Sequence, residues 1–432
     1  MFGIKNLQPA RAWTMYSLGV VAFLGTIAPA ILPAYFESIA TPELSLTQAR
    51  ALWAYAVALS LLLVVVLAPI LGGFADRTGG RKRLLFIATV IGALTMGAMF
   101  FVGRGHWWII LGLYVTAAVS TGCGTFLFDS LLVHVVEPQE YDRTSSQAYF
   151  NEFLGTALTL VISLLVIMVV FPGSSWGPRI AFLLMGIWWA VFGFLSLQRL
   201  PEPPALTTEG VLSRDNTLKV KPGQLILFLL AIGLSNGGIA TINRMATSIG
   251  GEIGIGTKEL IGALVLRSMI GALFMWLLSR VIGHFKVKKL IETGLVLFSL
   301  VSFLGYFMLA NWIFWVLAAG AGIAQGMVIA LSRSFFCRMA PRARSSQFFG
   351  FYYMALFLPA IFGPLAFAQA GLLLDSTRLG ILIILVMFIL GRMILTFVDD
   401  EVKVSPSKQE AGFGESGISS QLTEQTVMPE SD

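Results

Sequence analysis

Long apolar runs recur along this chain, and they constrain its fold more than any other feature. An α-helix rises about 1.5 Å per residue, so about 20 apolar residues cross the hydrocarbon core of a bilayer. Runs bounded by charge or turn signals predict six spans in the first half, at roughly 12–36, 49–74, 84–103, 107–134, 146–171 and 178–200. Six more follow, at roughly 223–245, 258–283, 289–310, 312–338, 347–372 and 376–398. Composition agrees: 56% of residues are hydrophobic and 12% charged, where a soluble domain carries about 25% charged residues. The chain therefore reads as an all-α membrane protein of twelve transmembrane helices. A polar linker, PEPPALTTEGVLSRDNTLKVKP at 201–222, separates the bundles expected at 1–200 and 223–398. The polar tail at 399–432 is expected to be disordered. The first apolar run is too long for the core of a signal peptide and is expected to be a retained span.

The bulk numbers exclude several function classes. A net charge of +6 would fit nucleic acid only with a basic patch on a soluble face, and here Lys and Arg sit in short loops between apolar runs. Two cysteines, Cys123 and Cys337, and three scattered histidines, His106, His134 and His284, supply neither a disulfide framework nor a metal set. No phosphate-binding glycine loop and no catalytic triad stands out, so the chain is read as no enzyme, without cofactor or metal. With the N-terminus placed in the cytoplasm, twenty Lys and Arg fall on cytoplasmic segments and five outside. This bias predicts both termini in the cytoplasm.

An internal repeat is also visible. EPQEYDRTSSQAYF at 137–150 and APRARSSQFFGF at 340–351 both carry Pro, Arg and Ser-Ser-Gln opening an aromatic-rich span. Gln147 and Gln347 lie 200 residues and six spans apart. An even number of spans makes the halves parallel repeats about an axis along the membrane normal.

Two stretches carry a family resemblance. Gly72-Gly73-Phe74-Ala75-Asp76-Arg77-Thr78-Gly79-Gly80-Arg81-Lys82-Arg83, between spans two and three, resembles the loop motif of the major facilitator superfamily. In physical terms Gly72 permits close helix approach, Asp76 suits a neighbouring helix N-terminus, and the basic run holds the loop at the membrane surface. GHFKVKK at 283–289 is a degenerate copy. Within the superfamily, the vacuole-effluxer family is resembled by Ser332-Arg333-Ser334, Pro341, Arg344 and Gln347-Phe348-Phe349-Gly350-Phe351-Tyr352. Trp13, Tyr16 and Pro33-x-Tyr35-Phe36 support it. The resemblance implies two six-helix bundles, with spans one, four, seven and ten lining a central cavity. It also implies export, of amino acids in the eukaryotic members. Three positions that are acidic in relatives are neutral here: Ser17, Gly237 and Gln347.

Charges left inside the spans point to mechanism, because an intramembrane charge is costly and faces a cavity or a partner. Asp129 lies in span four, Glu152 in span five, Arg267 in span eight and Arg333 in span ten. Aligning the repeats at Pro138 and Pro341 puts Asp129 opposite Ser332 and Ser130 opposite Arg333, so acid and base sit at nearly equal depth. Asp129 and Arg333, with Glu152, form either a gate or substrate anchor, or a fixed ion pair that only sets packing. Arg267, about nine residues into its span, either binds an anionic group or lies at the solvated edge. Tyr16 and Asn236 complete the substrate and gating candidates. Gly72, Asp76, Arg77, Gly79, Arg81 and Lys82 form the candidate gate. Arg244 and Arg392 lie near span ends and can snorkel.

The expected function is secondary transport of a small organic solute, as an exporter, by rocking of two bundles around a central site. Its driving force would be an ion gradient such as H+. The expected partners are a small-molecule or amphiphilic substrate and the bilayer, the protein acting as a monomer in a bacterial inner membrane. Two alternatives remain: a lipid or lysolipid flippase, favoured by the apolar Leu18-Gly19-Val20-Val21, and a non-transporting receptor or assembly factor, favoured by the three neutral positions.

Overall fold

The computed structural model describes residues 8–206, 220–252, 257–307, 311–373 and 377–400. Residues 207–219 of the linker, 401–432 of the tail and the side chain of Arg244 lie outside that description. Twelve helices of spanning scale carry the chain. The first six are α1 (Pro9–Ala40), α2 (Leu46–Thr78), α3 (Arg81–Phe101), α4 (Trp107–Val135), α5 (Pro138–Val170) and α6 (Trp176–Leu197). The second six are α7 (Pro222–Glu252), α8 (Thr257–Val281), α9 (Val287–Tyr306), α10 (Trp312–Met339), α11 (Ser345–Leu373) and α12 (Thr377–Thr396). Among the described residues ten of the twelve are long and apolar enough to cross a membrane, the described apolar part of α12 (Ile381–Thr396) being shorter. Exposed Leu, Val, Ile and Phe cover α2, α3 and α6, as a surface solvated by lipid rather than water requires. The span read as 146–171 begins earlier, at Pro138, because the short Pro138–Glu140 turn runs directly into the helix.

Two groups of helices pack side by side. In α1–α6, α1 lies against α5 and α6, and α4 against α2 and α3. In α7–α12, α7 lies against α11 and α12, α8 against α10, and α9 against α12. The groups meet along α2 with α11 and along α5 with α8. Small residues make these seams possible. A Cβ on Gly350 would lie 2.6 Å from Pro69 Cα, and one on Gly271 would lie 2.7 Å from the Phe153 ring. In lipid no hydrophobic effect drives helices together, so close packing of this kind carries the association.

The loops after α2, α4, α8 and α10, together with the start of α1, share one end of the molecule, here termed the basic end. Two helices widen locally there or at mid-depth. α1 is π-helical over Ala22–Ile31, around Pro29, and α10 over Gly326–Ala330. Such insertions change which face the following residues present. Gly350→Val should overpack the α2–α11 seam by about 1–3 kcal/mol and lower the thermal unfolding midpoint of the purified protein. Gly112→Val, where nothing lies within 4 Å of the added Cβ, should leave the midpoint unchanged.

Candidate functional site

At the basic end, α2 terminates on Gly79, whose φ of 67° is left-handed, and Asp76 lies buried in its last turn. Asp76 Oδ1 accepts the Ser346 N–H at 3.1 Å, and Oδ2 accepts the Gln347 N–H at 2.9 Å. These donors belong to the first turn of α11 and have no partner within their own helix. The carboxylate also faces the positive end of that helix's dipole. Arg81 completes the joint, its Nε 2.8 Å from Asp76 Oδ1 and 3.1 Å from Ser346 Oγ, its Nη2 donating to the Ala343 carbonyl at 2.8 Å. Gly72 lets the α2 backbone approach the Ser346 carbonyl. Arg77 is exposed, and Lys82 contributes its backbone N–H, to Glu202 Oε1 at 3.0 Å.

The second half has no acid at the matching loop, GHFKVKK. There the clasp is a side-chain pair: Arg338 of α10 donates to both oxygens of Asp142 of α5, at 2.8 and 2.5 Å. Ser130 with Ser346 Oγ at 3.0 Å, and His134 Nε2 with Ser345 Oγ at 3.2 Å, link the halves between these joints. The molecule is closed at its basic end.

Deeper in, five helices converge on Arg333. The widened turn of α10 offers the Ala330 carbonyl to Ser145 Oγ at 2.6 Å, and the same Oγ accepts Arg333 Nε at 2.9 Å. Arg333 Nη2 donates to the Ser145 carbonyl at 3.1 Å. Nη1 donates to Asp129 Oδ1 of α4 at 2.9 Å and, at 3.4 Å, to Glu152 Oε1 of α5. The guanidinium lies 5.1 Å from the Trp13 ring of α1, a cation–π contact. The two acids differ. Asp129 is 2% exposed and has both oxygens engaged, Oδ2 accepting the Tyr353 hydroxyl of α11 at 2.6 Å. Glu152 is 23% exposed, and its contacts to Arg333 and to Ser17 Oγ, both 3.4 Å, fall on Oε1.

The structure thus brings Asp129, Glu152 and Arg333 together, and leaves other candidates elsewhere. Tyr16 hydrogen-bonds Thr89 Oγ1 at 2.9 Å and stacks on Phe128, inside the first half. Asn236 donates to the Leu356 carbonyl at 2.9 Å, between α7 and α11. Arg267 of α8 donates to Gln325 Oε1 of α10, and Gln325 Nε2 donates to the Tyr149 hydroxyl of α5 at 2.9 Å. Among the family residues, Ser332 and Ser334 bond carbonyls of their own helix, Val328 and Leu331. Phe349 and Tyr352 pack on Phe336, and Phe348 on Phe351. Gln347 places its side chain beside Gly73. Of the neutral positions, Ser17 faces Glu152, whereas a Cβ on Gly237 would already sit 2.9 Å from Pro359 Cβ.

Sequence reasoning missed Ser145, Tyr353 and the Asp142–Arg338 pair. Tyr353 follows the tyrosine of the family motif by one residue, a 100° step around the helix. Ser145 opens the Ser-Ser-Gln repeat, so the repeat itself marked it.

A family model described as "Vacuole effluxer Atg22 like" matches residues 46–140 and 133–407. The chain belongs to this family. A curated relative, the "Uncharacterized MFS-type transporter YxiO" of Bacillus subtilis, is 27% identical over 414 residues, covering 93% of this chain and 97% of the relative. "Autophagy-related protein 22" of Yarrowia lipolytica is 26% identical over 423 residues, covering 75% and 71%. Among solved structures, the proton:xylose symporter XylE bound to 6-bromo-6-deoxy-D-glucose matches with a TM-score of 0.73 at 17% identity, covering 90% of this chain and 96% of that one. The fold is that of the major facilitator superfamily, and the protein is a multi-pass membrane transporter rather than an enzyme, as these relatives are.

Removing a partner from a buried ion pair strands the remaining charge. Arg333→Gln should therefore destabilise the protein by about 3–5 kcal/mol. Adding Asp129→Asn and Glu152→Gln to it should restore much of the thermal unfolding midpoint, which a thermal scan in nanodiscs measures.

Proposed function

We propose that this family member is a secondary active exporter of a small organic solute, working by alternating access and driven by an ion gradient such as H+. The observation that carries the reading is the buried Asp129–Arg333–Glu152 cluster at the meeting of the two halves. One guanidinium faces two carboxylates there, so the cluster keeps one negative charge in a low-dielectric setting. Asp129, with both oxygens engaged, holds Arg333. Glu152, with Oε2 outside these contacts, is the group to accept a proton or a cationic part of the solute. Neutralising Glu152 weakens the hold of α5 on α10 and favours opening of the basic end.

The distribution of Lys and Arg supports placing that end, with both termini, on the cytoplasmic side, and similarity to the Bacillus subtilis relative favours a bacterial inner membrane. The closed basic end then makes this the outward-facing conformer. Rocking to the inward-facing one requires Asp76 to leave the α11 N-terminus and Arg338 to leave Asp142, while α1, α4, α7 and α10 repack around the solute.

Proteoliposomes with an imposed pH gradient test this. Wild type should carry gradient-dependent flux of one of a panel of amino acids and other small metabolites. Glu152→Gln should lose the gradient dependence while retaining solute exchange at zero gradient. Asp129→Asn should reduce flux more than expression; equal loss of both would assign it to packing alone. Flux of no solute in the panel, but movement of a labelled lysolipid, would replace export by flipping, and absence of both would make the protein a receptor.

A further inference from the structure

Of the arginines at the seam between the halves, Arg81, Arg333 and Arg338 each hold a carboxylate. Arg267 holds none among the described residues. Its partner is the neutral Gln325 Oε1, and its Nε is buried without an acceptor. A cation at this depth without a counter-charge is costly, and an anion is what would complete it.

The surroundings give the shape of that anion. Arg267 lines a half-open cavity of about 120 Å³ between α7, α8, α9, α10 and α12. Leu260, Leu264, Val301, Phe314, Leu317 and Ile384 form its walls, and among the described residues Ser302 is the one other polar side chain on it. An apolar cavity of about 150 Å³ holds benzene, so this one takes the first few carbons of an apolar body, and its open side lets a longer chain extend beyond it. Water filling this space would find few polar partners, whereas an apolar body would find many. We propose that Arg267 and this cavity form a binding site for a monoanionic amphiphile, a carboxylate bearing a medium-length apolar body.

The site is wired to the seam. Gln325 receives Arg267 on its oxygen and donates through its nitrogen to Tyr149 of the opposite half. A carboxylate taking the guanidinium displaces the Gln325 oxygen and frees the side chain that ties α10 to α5. Tyr149 stands one helical turn from Glu152, on the same face of α5. Anion binding at Arg267 thus reaches the helix that bears the acid of the charge cluster. As a statement about transported solute, the inference rests on the transporter reading; as a statement about binding, it stands apart from it.

Octanoate, 1-octanol and octylamine are suitable probes, with the full chain in nanodiscs and thermal unfolding as the readout. Octanoate should raise the unfolding midpoint saturably, and the two analogues should not. Arg267→Gln should weaken the octanoate response by about tenfold or more, with Arg267→Lys retaining part of it. Ala318→Phe fills the cavity while keeping the arginine, and should block octanoate too, which covers the case of Arg267→Gln failing to fold. Equal shifts from octanoate and octanol, or undiminished octanoate binding by both Arg267→Gln and Ala318→Phe, would overturn the site. Octanoate binding in a protein that moves no solute would sink the transporter reading and leave the site standing.

Discussion

A charge inside a bilayer is costly unless it meets an opposite charge, and Arg333 meets two across the seam. Arg333 on α10 belongs to the second half, and the acids it meets, Asp129 and Glu152, belong to the first. Neither bundle alone supplies the complete set. The cluster therefore ties the halves together in this conformer and makes their separation depend on charge. Asp76 extends the same logic: Arg81 of its own half is its cation, and the N-terminus of α11 holds it across the seam.

The pseudo-symmetry of the halves is broken where those charges lie. Asp76 caps α11 with a carboxylate, while the start of α5 is held by Arg338 on Asp142. Ser346 donates its backbone N–H to Asp76 and accepts Arg81 on its hydroxyl; in the other copy of Ser-Ser-Gln, Ser145 accepts Arg333 on its hydroxyl and carbonyl. One duplicated sequence thus serves a peripheral clasp in one half and a buried cluster in the other. Two clasps of different chemistry need not open together.

The neutral positions read differently once packing is known. Gly237 lies against Pro359, so no Cβ fits there without movement, and the absence of an acid there is a matter of space. Ser17 instead faces Glu152; a carboxylate at that place would add a second negative charge beside the first. The serine leaves Glu152 as the more exposed acid of the cluster, 23% against 2% for Asp129.

The sequence alone determined the twelve apolar spans, the six-span repeat and the short roll of intramembrane charges. Each follows from a local rule: a bilayer fixes span length, and an ionised group in hydrocarbon is rare enough to notice. It also carried Asp76 within a recognisable loop. Which charges meet was decided by tertiary structure. The widened turn at Gly326–Ala330 in α10 and the rotation of α11 that presents Tyr353 rather than Tyr352 to Asp129 are set by how helices pack. Asp129 and Arg333 are 204 residues apart, and only the folded seam, where lipid is excluded and every polar group needs a partner, brings them within 2.9 Å.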